Sequence, residues 1–212
     1  MARLFAAPRV GGVRGVSGRL GCDGFAGANG GGLCDDCQMD FSLERSNAVL
    51  KRTPDTLRSL LLDLPDDWTM SNEGPGTWSP YQTLGHMAHI EESDWMDRTV
   101  TMLAEGGPHH FEPVDREAGF ARYEGWSVAE LLEHFGALRK SNLEQLAALV
   151  TNGDLENLGI HPTFGEVRLR QLLAAWVVHD LNHLDQIVKT MAKQYGQAVG
   201  PWREFLPIVD AP

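Results

Sequence analysis

The chain has 212 residues, a formal net charge of −11 and a hydrophobic content of 42%. This length suits one domain, or one domain with an appendage, and the composition is that of a protein with a real core. No apolar run approaches the roughly 20 residues that cross a membrane. No basic cluster follows residue 38, although nucleic-acid-binding proteins need a basic face against the phosphates. We therefore expect neither a membrane nor a nucleic acid among the partners.

Residues 1–38 differ in composition from the rest of the chain. They hold ten of the 23 glycines and show no helical or strand periodicity, which predicts a disordered Gly-rich leader. A transit peptide is disfavoured because glycines would break its amphipathic helix. A second interpretation is that translation starts at Met39, so that the leader reflects a misassigned start.

All three cysteines, Cys22, Cys34 and Cys37, lie in this leader. The gap between Cys34 and Cys37 is that of a zinc or redox pair, but further zinc ligands and a βαβ context are both missing. We interpret the pair as incidental. The remaining residues contain no cysteine, which suits a reducing compartment, and the predicted location is the cytoplasm.

Residues 39–212 form the predicted domain, and their apolar periodicity predicts four long helices. The first extends from Ser42 to Leu64. Because Pro54 interrupts its hydrogen-bond ladder, we expect a kink or break near Thr53.

The second and third helices begin with the same local signal. Ser79 and Ser127 are N-cap residues, and Gln82 and Glu130 complete capping boxes three positions later. Pro80 suits the first turn of the second helix. The predicted ranges are 80–105 and 128–150.

The fourth helix is predicted for residues 169–195, and a turn or small hairpin for residues 157–167 before it. Strand signals are otherwise scarce. Four helices of this length pack most naturally as a four-helix bundle, so the predicted fold class is all-α.

The fourth helix carries a pair of histidines, His179 and His183. Residues at i and i+4 share a helix face, and two imidazoles at that spacing can converge on one metal ion. The pair alone fits exposed or hydrogen-bonded structural histidines equally well. Zinc proteases place a Glu directly after the first histidine, whereas Asp180 stands here, so a metalloprotease is disfavoured.

A third ligand is available near the start of the second helix. His86 and His89 both follow the helix opening at Trp78, and residues three apart share a face. Spacing alone therefore leaves both open. One is the expected ligand, and the other has a structural or supporting role.

Several segments of the chain resemble the DinB-like superfamily, in consistent order over about residues 39–209. The likeness does not depend on one short motif. The segments are LGHMAHIEESDW at 84–95, HPTFGE at 161–166, WVVHDLNHLDQ at 176–186 and VGPW at 199–202.

This resemblance implies a four-helix bundle with up-down-down-up topology. It also implies a metal site of three histidines, which carry over to His86, His179 and His183. Some relatives are thiol-dependent S-transferases or isomerases that use low-molecular-weight thiols such as bacillithiol or mycothiol. Many others have no established activity.

The expected cofactor is a divalent metal ion, with zinc as the first choice and nickel or iron as alternatives. Three neutral imidazoles leave coordination positions free, which is typical of a catalytic site. Such an ion would turn a bound water or a bound thiol into a nucleophile. Since no cysteine follows Cys37, a thiol nucleophile would have to be a cosubstrate.

The sequence thus predicts a metal-dependent hydrolase or a low-molecular-weight-thiol S-transferase that acts on a small-molecule electrophile. One alternative is a non-catalytic metal-binding or stress-response bundle, and another is a bundle whose histidines are structural. A homodimer is left open.

Other polar and aromatic residues receive subsidiary assignments. Second ring nitrogens of the ligands need hydrogen-bond partners, and the candidates are Asn182, Gln186, Asp94 and Glu91. Asp180 and Asp185 are interpreted as solvated charges on the outer helix face. The remaining assignments are His109 and His110 as an exposed loop pair, His134 as packed or half-exposed, His161 as a candidate at the site mouth, and Trp78, Trp95, Trp126 and Trp176 as core residues.

Overall fold

A computed structural model describes residues 39–211. The predicted disordered leader at residues 1–38, and its incidental cysteine pair, lie outside the described residues. Helices dominate the described part, and no helix within it is both long and apolar enough to span a membrane.

The first bundle helix is divided, as Pro54 predicts. α1 (Leu43–Leu50) is capped by the Ser42 hydroxyl, which accepts a hydrogen bond from the Arg45 amide. α2 (Thr53–Leu61) follows after a two-residue break and has the proline in its first turn. A short helix, α3 (Asp66–Met70), comes next and was not predicted.

The second bundle helix is α4 (Pro80–Ser93) followed by α5 (Trp95–Leu103). The sequence predicted one continuous helix here, and the structure breaks it at Asp94, where φ is −130° and ψ is −63°. The Ser93 hydroxyl donates to the carbonyl of His89 at 2.7 Å. Such back-bonding bends helices, and Asp is a poor residue for a helix interior.

The third and fourth bundle helices have the predicted extents. α7 (Val128–Leu149) follows a short helix, α6 (Ala118–Arg122), and α8 (Leu169–Gln194) completes the bundle. Both predicted capping boxes, at the starts of α4 and α7, are present.

A three-stranded sheet stands beside the bundle. The predicted hairpin is confirmed as β2 (Leu158–His161) and β3 (Gly165–Arg168), which pair antiparallel. β1 (His109–His110) pairs with β2 in parallel and was not predicted. A Cβ at Gly159 would lie 2.4 Å from the Phe111 ring, so this position of β2 requires glycine.

Contacts to the third helix fix two of the helix directions. The Leu50 carbonyl accepts from Arg139 at 2.8 Å, and Pro54 lies against Gly136. Position numbers rise in one helix and fall in the other, so the first and third bundle helices are antiparallel.

The second helix has the opposite relation to its two neighbours. Glu91 binds Arg139 of the third helix, and earlier in the chain Gly85 lies near Leu131, so these helices are parallel. His86 meets His183, and Trp95 stacks on Trp176, so the second and fourth helices are antiparallel. The bundle is therefore up-down-down-up, as the resemblance implied.

The core of the bundle consists of two buried apolar clusters. The first surrounds the Trp95–Trp176 stack, and the second lies toward the amino end of α4. His86, His179 and His183 lie on α4 and α8, and both helices contribute residues to the buried clusters on either side of these histidines. The second cluster contains Leu57, Leu61, Leu84, Met87, Ala88, Tyr123, Leu131, Leu132, Phe135 and Ile187.

Candidate metal centre

Three imidazoles converge where α4 crosses α8. The Nε2 atom of His179 lies 3.2 Å from Nε2 of His86 and 3.2 Å from Nε2 of His183. The three ligand atoms all lie within 4.8 Å of one another. The antiparallel packing of the two helices thus joins residues 93 positions apart.

This spacing matches the requirement of a single ion. Zinc–nitrogen bonds of about 2.0–2.1 Å at tetrahedral angles put two ligand nitrogens about 3.3 Å apart. The two Nε2–Nε2 separations that involve His179 are both 3.2 Å, and all three ligand atoms lie within 4.8 Å of one another. The three side chains are therefore close to the arrangement that holds one divalent cation.

Hydrogen bonds on the far ring nitrogens select the tautomers of two histidines. His86 Nδ1 lies 2.9 Å from the carbonyl oxygen of Arg116, and His183 Nδ1 lies 2.8 Å from Gln186 Oε1. Both oxygens accept, so each Nδ1 donates its proton and each Nε2 presents a lone pair.

His179 can donate one proton at most, so its Nε2 cannot satisfy both neighbours. One of the two close nitrogen pairs therefore brings two lone pairs together without a proton between them. A cation removes this repulsion by accepting all three lone pairs. The donor set therefore fits a divalent metal ion.

The orientation of His179 depends on packing. Its Nδ1 is buried and has no hydrogen-bond partner among the described protein groups. Its ring lies edge-on to Trp95, with ring centroids 5.2 Å apart. The Trp95 indole thus packs against His179, whose Nε2 lies close to both other imidazoles.

All three imidazoles are neutral near pH 7. Burial lowers the pKa of His86 to about 4 and that of His179 to about 2. Burial also lowers the pKa of His183, against the opposing influence of Gln186 and Asp180. Metal binding requires deprotonated imidazole, so the folded protein presents the ligands in the form that an ion takes up.

His89, which spacing left open, is not in the cluster. It is half-buried on another face of α4 and packs against Gly119 of α6. The structure places His86, and not His89, beside the pair on α8.

A pocket of about 880 Å³ opens onto His86 and His179. Apolar and aromatic side chains supply most of its wall surface, and polar and charged side chains supply the rest, a combination found in small-molecule sites. The sequence candidate His161 lines this pocket, and its ring stacks on Phe164 at the hairpin tip with centroids 4.4 Å apart.

Trp78 forms a wall of the metal centre instead of belonging to the core. It is half-buried, and its ring stacks on His183 with centroids 6.3 Å apart and also contacts His86. Trp95 and Trp176 are buried, as expected of core residues, whereas Trp126 is 37% exposed.

The remaining histidines lie apart from the three. His134 is half-buried against Tyr123 and Trp126, as expected. His109 and His110 form β1, although the sequence predicted a loop pair, and only His110 is exposed.

The prediction for Asp180 is wrong. The sequence suggested a solvated charge, but the side chain is 1% exposed and receives two hydrogen bonds from Arg139, at 2.6 and 3.0 Å. Asp185, given the same interpretation, is exposed and pairs with Lys189 at 2.8 Å.

Glu91 was a candidate partner for an imidazole and binds other groups. Its carboxylate accepts two hydrogen bonds from Arg139, at 2.8 and 2.9 Å. It also accepts from Asn142 and from the indole of Trp176, both at 3.1 Å. All its contacts lie within the bundle interior, so it does not orient a metal ligand directly.

Two other candidates line the pocket without holding a ring nitrogen. Asn182 is exposed there. Asp94 is buried, and its Oδ1 lies 2.5 Å from Arg98 Nε in an ion pair that lacks hydrogen-bond geometry. Burial raises the pKa of Asp94 to about 6, against the opposing charge of Arg98. Only Gln186 among the four holds an imidazole.

Sequence reasoning missed Arg116 as the partner of His86. The interaction uses the backbone carbonyl, which every residue possesses, so no side-chain pattern announces it. It also depends on how the chain between α5 and α6 returns to α4.

Comparison with known proteins supports the same architecture. YfiT from Bacillus subtilis, described as a probable metal-dependent hydrolase with an unusual four-helix bundle topology, superposes with a TM-score of 0.62 and 17% identity. The match covers 74% of this chain and 91% of YfiT, and at this identity it shows the fold alone. No match emerged among curated protein sequences. The family model of the DinB superfamily matches residues 50–187, and the chain therefore belongs to the DinB superfamily.

Proposed function

We propose that this protein is a metal-dependent hydrolase whose divalent cation is held by Nε2 of His86, His179 and His183. The observation that carries the proposal is the convergence of three neutral imidazoles at 3.2 Å, with two far nitrogens already engaged as donors. YfiT, which shares this fold, is described as a probable metal-dependent hydrolase, and that description is consistent with the proposal.

A divalent cation in this position would supply Lewis acidity, which lowers the pKa of a coordinated water or thiol toward neutrality. Three uncharged ligands leave the full charge of the ion available for this purpose. The pocket beside His86 and His179 provides the space in which a substrate meets that ion.

Backbone and side-chain groups of the protein orient the imidazoles and shield them from water. The Arg116 carbonyl and Gln186 Oε1 fix two imidazole rings, while Trp78 and Trp95 cover ring faces and edges from water. Residues 39–212 contain no cysteine. A thiol nucleophile would therefore be an external one, and a coordinated water is the other nucleophile that a bound cation would supply.

A second candidate is a low-molecular-weight-thiol S-transferase. The pocket, at about 880 Å³, lies toward the upper end of the roughly 300–1,000 Å³ of small-molecule sites, so its size is compatible with a small electrophile and a small thiol as well as with one larger substrate. For both candidates we propose zinc as the first metal to test, then nickel and iron, and a cytoplasmic location where thiols stay reduced.

Metal content of the full-length protein tests the ligand set. We expect about one equivalent of metal per chain after purification or reconstitution, lost in His86→Ala, His179→Ala and His183→Ala. His89→Ala is the matched control, since His89 lies one turn along the same helix, and it keeps the metal. No binding of zinc, nickel or iron by the parent protein would exclude the metalloenzyme.

Turnover then separates the two reactions. A hydrolase cleaves members of an ester, amide and lactone panel without added thiol, whereas an S-transferase consumes an electrophile only when a thiol is present. His183→Ala abolishes either activity. Stoichiometric metal with no turnover in either panel would favour the non-catalytic, stress-response interpretation.

A further inference from the structure

The pocket beside the histidines contains two arginines with different surroundings. Arg98 is already neutralised, because its guanidinium pairs with Asp94 at 2.5 Å and lies over the Phe111 ring at 5.2 Å. Arg98 is half-buried and its charge is balanced by this carboxylate, so it attracts a further anion less strongly than an unpaired arginine does.

Arg116 lines the same pocket and has an exposed side chain. Within residues 39–211 its guanidinium forms neither an ion pair nor a hydrogen bond. Its backbone is nevertheless fixed, since its carbonyl accepts from His86 Nδ1 at 2.9 Å. Arg116 therefore combines an unpaired side-chain charge with a backbone that is fixed to His86.

Arg116 and the histidine cluster share one pocket. Arg116, His86 and His179 all line it, and the Arg116 carbonyl oxygen lies 2.9 Å from His86 Nδ1. One small molecule in this pocket can therefore contact both the guanidinium and these two histidines.

The carboxylates in the pocket lining do not pair with Arg116. Trp95 and Phe111 contribute aromatic surface, and the carboxylates in the lining are Asp94 and Glu166. The former is paired with Arg98, and the latter is exposed on β3 without an ion pair to Arg116. One unpaired guanidinium therefore faces a largely apolar space.

We propose that Arg116 binds the carboxylate of a substrate whose body is apolar and whose reactive group faces the three histidines. A single planar guanidinium matches a single carboxylate in charge and in its two-pronged geometry. This inference rests on the proposed function, which identifies the pocket as the substrate site.

Ligand binding to the metal-free full-length protein tests the assignment. The probes are phenylacetate, 3-phenylpropionate and 4-phenylbutyrate, each compared by calorimetry with its uncharged amide. Metal is removed because a carboxylate also coordinates metal ions, and the neutral imidazoles then offer no competing positive charge. We expect the best acid to bind roughly tenfold tighter than its amide, as one charge-assisted interaction allows.

Variants assign that preference to one side chain. Arg116→Gln makes acid and amide bind equally, whereas Arg116→Lys, which keeps the charge without the fork, retains part of the preference. Arg58→Gln is the control, because Arg58 is also exposed and outside every described ion pair but lies on α2 away from the pocket. It retains the full preference, and the thermal midpoints of all three variants match the parent.

Equal binding of acid and amide at every chain length, including no binding of either at millimolar concentration, would overturn the assignment. A preference that survives Arg116→Gln would do the same. Metal analysis remains independent, since Arg116→Gln preserves the carbonyl that holds His86. If the protein binds no metal but still shows an Arg116-dependent preference for the acid, the metal-dependent hydrolase is excluded and the carboxylate site at Arg116 is retained.

Discussion

His179 and Asp180 are adjacent in the chain and belong to two polar centres of opposite kind. Asp180 lies in a buried charge cluster with Glu91 and Arg139, whereas His179 lies in the histidine cluster at the pocket. Arg139 has five N–H groups, and the structure gives a hydrogen bond for each, to Glu91, Asp180 and the Leu50 carbonyl.

The histidine cluster is incomplete by the same accounting. Three Nε2 atoms meet with too few protons to satisfy them, and the far nitrogen of His179 has no partner in the described structure. The Arg139 cluster, whose donors and acceptors match one another, has a structural role in the fold. A centre whose lone pairs converge unmatched is suited to an added ion.

Substitution of Arg139 gives the largest expected effect. Arg139→Met leaves two carboxylates buried without a counterion, which typically costs 3–5 kcal/mol in unfolding free energy. Chemical denaturation measures the loss. Lys189→Met, which removes the exposed pair with Asp185, is the control and costs less than about 1 kcal/mol. Similar losses of unfolding free energy in the two variants would contradict the conclusion that Arg139 balances two buried carboxylates.

Substitution of Gln186 sharpens the comparison at the open centre. Gln186→Ala removes the oxygen that holds His183 Nδ1, and loss of such a partner lowers metal affinity about 10- to 100-fold. Competition with a chromophoric chelator measures the change. Asn182→Ala, on the same helix and in the pocket lining, retains the parent affinity. Equal affinities for parent and Gln186→Ala would show that packing alone orients the ring.

The pH dependence of the metal-free protein tests the burial of one histidine of the cluster, with a small effect per pH unit. Burial lowers the pKa of His86 from 6.5 to about 4, so between these values the unfolded chain takes up a proton that the folded chain refuses. Stability is therefore fully present above pH 6.5 and falls as the pH approaches 4. His86→Gln reduces the slope by at most about 1.4 kcal/mol per pH unit. Denaturation in chelator at a series of pH values measures it, and an unchanged slope would show that His86 does not contribute.

Helix ends were predictable from the sequence because their signals are local. Ser79 and Ser127 cap with their own side chains, and Pro54 interrupts its own ladder. The pairing of His179 with His183 follows from helical periodicity in the same way. The choice of His86 over His89 required the family resemblance, since both follow the same N-cap.

Features that depend on distant partners were not predictable. Asp180 was misinterpreted because its partner, Arg139, lies 41 positions away on another helix. The Arg116 carbonyl carries no residue signature, and β1 has only two residues, too few for periodicity. The break at Asp94 depends on a hydroxyl–carbonyl bond that serine forms in some helices and not in others.

The sheet has a consequence for how such a protein diverges. All three histidines stand on long helices, but much of the pocket wall comes from the segments around Phe111 and Arg116 and from the hairpin near His161. Pairing of β1 with β2 ties these two segments together. Insertions or substitutions in the hairpin can therefore alter which molecules enter while the bundle keeps its ligands in place. Sequence change in the hairpin can therefore reshape the pocket without disturbing the histidine cluster.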